Sequence, residues 1–150
     1  IGSLIGQVFS PNYQQLKRLK KLIKGFESTF QLIDRIKKED LKKYYENADL
    51  AILSSYENLN GCLPVKIFEY YYYKIPMLLC PSDNDEMHSF IMKTKSGFIA
   101  NDEKNCERII LDCLNGKTID FDNEDYRKYI KIFSREYQTE ILANILKEKI

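Results

Sequence analysis

The first place where residue types and spacing suit chemistry is a polar loop that leads into a helix. Ser54 to Leu63 is polar and contains Asn60-Gly61, and Pro64 then opens a helix carrying Val65, Lys66 and Glu69. A helix N-terminus presents unpaired N–H groups and a partial positive charge, which suits a phosphate. Pro64 loses nothing at such a start, because the N–H it lacks would have no partner there. Gly61 lets a ligand approach the backbone closely. Glu69 lies about one and a half turns further on, and its carboxylate can accept hydrogen bonds from vicinal hydroxyls such as those of a ribose. Together these features predict a nucleotide diphosphate site. On spacing alone, the simpler reading of Lys66 and Glu69 is an i,i+3 surface ion pair worth a few tenths of a kcal/mol.

Other reactive residues are sparse. His88 is the only histidine, so no Ser–His–Asp or Cys–His system can form away from it. Cys62, Cys80, Cys106 and Cys113 are separated by eighteen, twenty-six and seven residues, which matches no zinc pattern. Cys106 and Cys113 share a helical stripe with Ile109, Ile110 and Leu114, where cysteine behaves as a small hydrophobe. Reduced, structural thiols in a reducing compartment are expected, with no metal. No catalytic residue can be named.

The elements that must position these residues alternate between short apolar runs and amphipathic helices. Ile1 to Phe9 reads as a strand, broken at Pro11-Asn12. Leu16, Leu19, Leu22 and Ile23 follow at helical spacing, with Lys17, Arg18, Lys20, Lys21 and Lys24 outside and Gly25 as the stop. Thr29 to Ile36 alternates like a strand, and Asp40 is placed to cap a short helix carrying Leu41, Tyr44 and Tyr45. Leu50 to Leu53 is a continuous apolar run, the pattern of a buried parallel strand. The Pro64 helix carries Ile67, Phe68 and Tyr70 to Tyr73 and stops before Pro76. The tyrosine run points in several directions on a helix and reads as packing rather than as a stacking platform for bases. Met77 to Cys80 is a strand, Pro81 to Asp85 a turn, Glu86 to Met92 a helix and Gly97 to Ala100 a strand. A helix through Cys106 and Cys113 follows, and Ser134 caps a last helix with Tyr137, Ile141, Leu142, Ile145 and Leu146. Strands alternating with helices predict an α/β domain, a Rossmann-like parallel sheet with helices on both faces. In such sheets ligands bind beyond the carboxyl ends of the strands, and the Ser54 to Leu63 loop is the longest at such an end.

Composition narrows the function classes. The chain has 150 residues, 44% hydrophobic and 30% charged, the balance of one globular domain able to bury roughly two thirds of its unfolded surface. Its net charge of +1, from 23 Lys and Arg against 22 Asp and Glu, argues against a nucleic-acid module working by bulk phosphate attraction. No run approaches the roughly 18 apolar residues of a membrane span, and no signal peptide is evident. The opening Ile1-Gly2-Ser3-Leu4-Ile5-Gly6, without Met, reads as a start inside a strand of something longer. The basic Lys17 to Lys24 face suits either solvent or acidic membrane lipid. A receiver-like signalling domain would need acids at the end of its first strand, where this chain has Gln7-Val8-Phe9.

Three segments carry a family resemblance. Ala48-Asp49-Leu50-Ala51-Ile52-Leu53-Ser54-Ser55, then Pro64-Val65-Lys66-Ile67-Phe68-Glu69-Tyr70, then Pro76-Met77-Leu78 resemble the C-terminal domain of GT-B glycosyltransferases. The nearest branch is the retaining group called glycosyltransferase family four, which reads ADxxxxxS, a loop, PxKxxEY and a proline-led strand. Gly97-Phe98-Ile99 and Phe133-Ser134 are similar to later family segments, and the likeness runs from about Lys38 to the C-terminus. It implies the GT-B C-terminal half over residues 1–150, binding a UDP-, GDP- or ADP-sugar without metal or other cofactor. Glu69 would hold the ribose hydroxyls, while Gly61, Cys62, Leu63, Val65 and Lys66 meet the diphosphate and sugar. The whole enzyme would be a hexosyltransferase moving sugar to a glycan or lipid-linked acceptor, as in surface polysaccharide synthesis. Its acceptor site would lie on an N-terminal domain absent from this chain, leaving the fragment inactive alone. The implied location is the cytoplasm, at the inner face of the cell membrane where the full enzyme makes a peripheral contact. The last helix would cross back to the other domain, and the Asp83 to His88 stretch would approach the donor.

The chain also departs from the family. The first of two glutamates usual there falls on Gly61, and Glu57 lies too far upstream to replace it. The usual glycine before the proline-led strand is Lys74. The basic pair expected after the first strand is replaced by Ser10 and Asn12, with Gln7 nearby, and the region before Lys38 is one strand and one helix short. These departures also fit an alternative, a non-catalytic nucleotide-binding or partner-binding domain.

Overall fold

The computed structural model describes residues 4–6, 13–26, 28–32, 37–55 and 61–148. Expectations placed on Gln7, Ser10, Pro11, Asn12, Glu57 and Asn60 lie outside the described residues. The chain divides into two compact units, Ile1–Asn47 and Ala48–Ile150. It is mixed α/β, and every described strand pairing is parallel.

In the first unit, β1 (Leu4–Gly6) pairs with β2 (Phe30–Leu32), Leu4 opposite Phe30. Parallel neighbours need a crossover, which α1 (Tyr13–Leu22) supplies. The helix ends at a turn in which Gly25 takes φ +91°, a conformation that glycine adopts without a Cβ penalty. The second helix, α2 (Lys38–Tyr45), is not capped by Asp40. Lys37 is its N-cap, without a side-chain cap bond, and Asp40 sits inside the first turn. There it favours the helix dipole and lies 3.7 Å from Lys43 Nζ.

In the second unit, β3 (Ala51–Leu53), β4 (Met77–Leu79) and β5 (Gly97–Ile99) form a three-stranded sheet in that order. The helices α3 (Val65–Tyr72) and α4 (Glu86–Thr94) make the two crossovers. The central strand is the core: Met77, Leu78 and Leu79 are all at 0% exposure. Side chains alternate across a strand, so both faces of β4 are covered. Leu78 packs with Ala100 and with Ile109 of α5 (Glu103–Leu114), and Cys80, Phe98, Cys106, Ile110 and Cys113 surround them. Burial pushes the Cys80 thiol up to about 11, helped by its hydrogen bond with Cys106. Burial raises Cys113 as well, against the opposing charge of Lys117. These thiols stay protonated and weakly nucleophilic at neutral pH. The predicted stripe is narrower than expected, because Leu114 is exposed at the end of α5. Ile52 is exposed too, so β3 buries one face rather than two.

An aromatic cluster holds α3 and α4 to a helix for which the sequence reading made no provision, α6 (Glu124–Ile132). Tyr71 lies 5.7 Å from Phe90, 5.1 Å from Tyr126 and 6.2 Å from Phe121, and Phe133 stacks on Phe90 at 5.3 Å. Tyr71 is buried while Tyr72 is exposed, so the tyrosine run serves packing on one side. The signal for α6 was present. Asn123 accepts a bond from the Tyr126 N–H at 2.9 Å, Glu124 and Asp125 fill the first turn, and Tyr126, Tyr129, Ile130 and Phe133 follow at helical spacing. The last helix, α7 (Arg135–Glu148), starts as expected, with Ser134 Oγ accepting from the Tyr137 N–H at 3.2 Å. Its Ile141, Leu142, Ile145 and Leu146 are exposed. Among the described residues, no helix is long and apolar enough to cross a membrane.

Candidate functional site

Gly61, Cys62 and Leu63 lie on the loop that follows β3, and Val65, Lys66 and Glu69 on the helix α3 it leads into, at the carboxyl ends of the strands, the edge where α/β sheets bind ligands. Two backbone bonds tie these ends together. The Cys80 N–H donates to Leu53 O at 2.8 Å, and the Ser55 N–H to Pro81 O at 3.3 Å. Gly61 takes φ +69°, and its N–H donates to the Asp85 carboxylate at 2.5 Å. The loop before α3 is therefore fastened to the loop before α4. Cys62 and Leu63 are half-buried behind it, and Val65 is exposed at the start of α3.

The two helix starts differ. Pro64 is the N-cap of α3 rather than its first residue, extended at φ −68° and ψ 140°, with no side-chain cap bond. At α4 the Asp83 carboxylate accepts the N–H groups of Asp85 at 3.2 Å, Met87 at 2.9 Å and His88 at 2.9 Å. Burial pushes the Asp83 carboxyl up, but these N–H bonds together outweigh it and hold it below the usual carboxylate range. The start of α4 thus carries its own anion, and that of α3 carries no side-chain cap. Ser82 Oγ accepts the Asn84 N–H at 3.1 Å and lies 2.8 Å from His88 Nδ1, which fixes the only imidazole beside the same loop. After β5, the Asp102 side chain caps α5 through the Asn105 N–H at 2.8 Å.

Lys66 and Glu69 are half-buried on α3. Burial lowers the Lys66 ammonium, and the nearby charge of Glu69 partly restores it. The i,i+3 pairing is thus felt electrostatically, and it leaves Glu69 on the second turn of a helix whose start faces the Gly61 loop. Ser82 was not predicted as part of the site, whereas Asp83 and Asp85 belong to the Asp83 to His88 stretch expected to approach the donor. No local pattern could have shown that Gly61 and Asp85 meet across twenty-four residues.

A cavity of about 290 Å³ lies elsewhere, lined by Phe68, Tyr71, Tyr72, Ile130, Phe133, Ser134 and Glu136. It includes none of the predicted residues, and its apolar walls offer no complement to a diphosphate. Among the described residues there is no group of three or more His, Cys, Asp or Glu able to hold a metal ion.

The Asp83 cap has a measurable consequence. Asp83→Ala is expected to cost about 1–2 kcal/mol, the usual value of a helix cap, and Asp83→Asn less. An acid held below its unfolded pKa stabilises the fold at neutral pH and loses that contribution as pH falls through its folded value. Urea midpoints at neutral and acidic pH should therefore differ more between wild type and Asp83→Ala at neutral pH. An equal gap at both would show that the carboxylate charge contributes nothing.

The chain matches no family model, no curated protein and no solved structure in comparisons with known proteins.

Proposed function

We propose that the Ala48–Ile150 unit binds a nucleotide diphosphate sugar, as the Rossmann-like, donor-binding half of a retaining GT-B glycosyltransferase. The observation that carries this reading is the start of α3 at the carboxyl end of β3. The Pro64 N-cap makes no side-chain cap bond, so the dipole of α3 is not offset by a capping side chain and favours a diphosphate there, with Glu69 on the second turn for the ribose hydroxyls. The sugar transferred would then lie toward the loop of Ser82, Asp83 and His88. The acceptor and the rest of the catalytic machinery would come from another domain, so binding is the activity expected of this unit.

One observation favours the partner-binding form of the second reading, a domain without catalysis. The Asp85 carboxylate already occupies the Gly61 N–H, and Asp83 and Asp102 lie on neighbouring loops of the same edge. Negative charge there opposes a diphosphate unless Asp85 swings away.

A thermal-shift screen with UDP, GDP, ADP and CMP tests binding. A ligand at a hundred times its dissociation constant adds about 2.7 kcal/mol of stability. Titrating the best nucleotide against wild type, Glu69→Gln, Glu69→Ala and Lys66→Ala then tests the site. Loss of a carboxylate that accepts two hydroxyl bonds should cost about 1.5–3 kcal/mol of binding in Glu69→Ala and less in Glu69→Gln. Equal affinity for wild type and Glu69→Ala would remove Glu69 from the site and return it to a surface pair with Lys66.

A further inference from the structure

The cavity of about 290 Å³ lined by α3, the end of α6 and the start of α7 has no part in the nucleotide reading. Phe68, Tyr71, Tyr72 and Phe133 bring four aromatic rings to it, and Glu136 stands at its polar edge. The rings form walls rather than a flat stack. Phe68 meets Phe133 at 5.4 Å and 65°, and Tyr71 meets it at 6.3 Å and 78°. Phe68 and Tyr71 are held in place by Phe90, which they meet at 86° and 84°. Tyr72 is 63% exposed and so stands on the open side.

The charge at this cavity is one-sided. Glu136 is the one charged residue among the described residues that line it. It lies in the first turn of α7, where a negative charge suits the helix dipole. Among the described residues it makes no ion pair. The basic side chains of α6 have other partners: Arg127 lies 3.1 Å from Asp122, Lys128 sits over the Tyr129 ring and Lys131 over the Tyr137 ring. Ser134 is engaged at the helix start, its Oγ accepting the Tyr137 N–H at 3.2 Å and its carbonyl the Gln138 N–H at 3.1 Å. Aromatic faces carry the negative side of a quadrupole and attract a cation, the more so once it leaves water. An anion would meet both those faces and Glu136, and a neutral apolar molecule would gain nothing from the carboxylate.

We propose that this cavity binds a small organic cation of the alkylated ammonium class, its alkyl groups against Phe68, Tyr72 and Phe133 and its charge beside Glu136. The inference is independent of the nucleotide site, with which the cavity shares none of the predicted residues.

Choline and 3,3-dimethylbutan-1-ol have the same shape and differ by one charge, so the pair isolates the effect of the cation. Calorimetric titration of the whole chain should give choline about five-fold higher affinity than the neutral alcohol. Glu136→Gln should weaken choline about three-fold and leave the alcohol unchanged, and Tyr72→Leu, which keeps apolar bulk without a ring face, should weaken choline as well. Both side chains are exposed, so the variants should melt with wild type. Saturation transfer from aromatic protons to the choline methyl groups should place the probe against the rings. Equal affinity for the two probes would make this a neutral apolar pocket and overturn the proposal. So would the absence of choline binding, or wild-type choline affinity in Glu136→Gln.

Discussion

Tyr71→Ala is expected to cost about 3–5 kcal/mol, the range for removing a large aromatic side chain from a core. Tyr71→Phe is expected to leave stability unchanged or raise it by about 1 kcal/mol. Tyr71 is 1% exposed and meets the rings of Phe90, Phe121, Tyr126 and Phe133. Truncation would open a cavity where α3, α4 and α6 converge. Its hydroxyl, however, is buried without a hydrogen-bond partner. A lone buried hydroxyl has lost its water and gained nothing, so replacing it with hydrogen removes a desolvation cost at constant shape. Burial, reinforced by Tyr126 and Asp125, also pushes the phenol up to about 12. Since the unfolded phenol ionises near its usual value of 10, wild type should lose stability as pH rises from there toward 12. Tyr71→Phe should lose less over the same interval. Urea unfolding at neutral and alkaline pH measures both effects. A Tyr71→Phe variant clearly less stable than wild type at neutral pH would mean that the hydroxyl has a stabilising partner.

Gly97→Ala is expected to be at least as damaging as most core truncations, at about 3 kcal/mol or more, the upper end of overpacking costs. A Cβ at Gly97 would lie 2.0 Å from the Met77 carbonyl oxygen and 2.8 Å from its carbon. Both atoms are backbone, in the strand that pairs with β5 in register Met77 to Gly97, so no rotamer change can relieve the contact. Either β5 moves away from β4 or the neighbouring ladder bonds break, including those from the Met77 N–H to Ser96 O and from the Ala100 N–H to Leu79 O. Glycine in a strand interior often marks such a close approach. A thermal melt of Gly97→Ala that overlays wild type would show that the strands accommodate the methyl group.

Much of this architecture is written in local patterns. The Leu50 to Leu53 run, the proline-led Met77 strand, the Cys106 to Cys113 stripe and the Ser134 cap each became the element their period or capping residue specified. Backbone geometry repeats at 3.6 or 2 residues, so an amphipathic face can be read without the partner it meets. Lys74 takes φ +56°, a left-handed conformation that favours glycine and that no local period marks. It ends α3 in a left-handed conformation, with its side chain over the Tyr126 ring. The helix from Glu124 to Ile132 was equally legible, through its Asn123 cap and its aromatic spacing.

The candidate site divides differently. The sequence by itself determined the chemistry available at one strand end: a glycine, a proline-started helix, and a lysine and a glutamate on that helix. Only the tertiary structure decided which groups those residues meet. It brought Asp85 to the Gly61 N–H and set Asp83, rather than a ligand, on the start of α4. It also left Ile52, Leu22 and Phe26 exposed although their residue types favour burial. The physical reason is range. Helix starts and strand alternation follow from neighbours a few residues apart, whereas contact between residues twenty-four apart depends on crossover path and strand register, which no local period encodes.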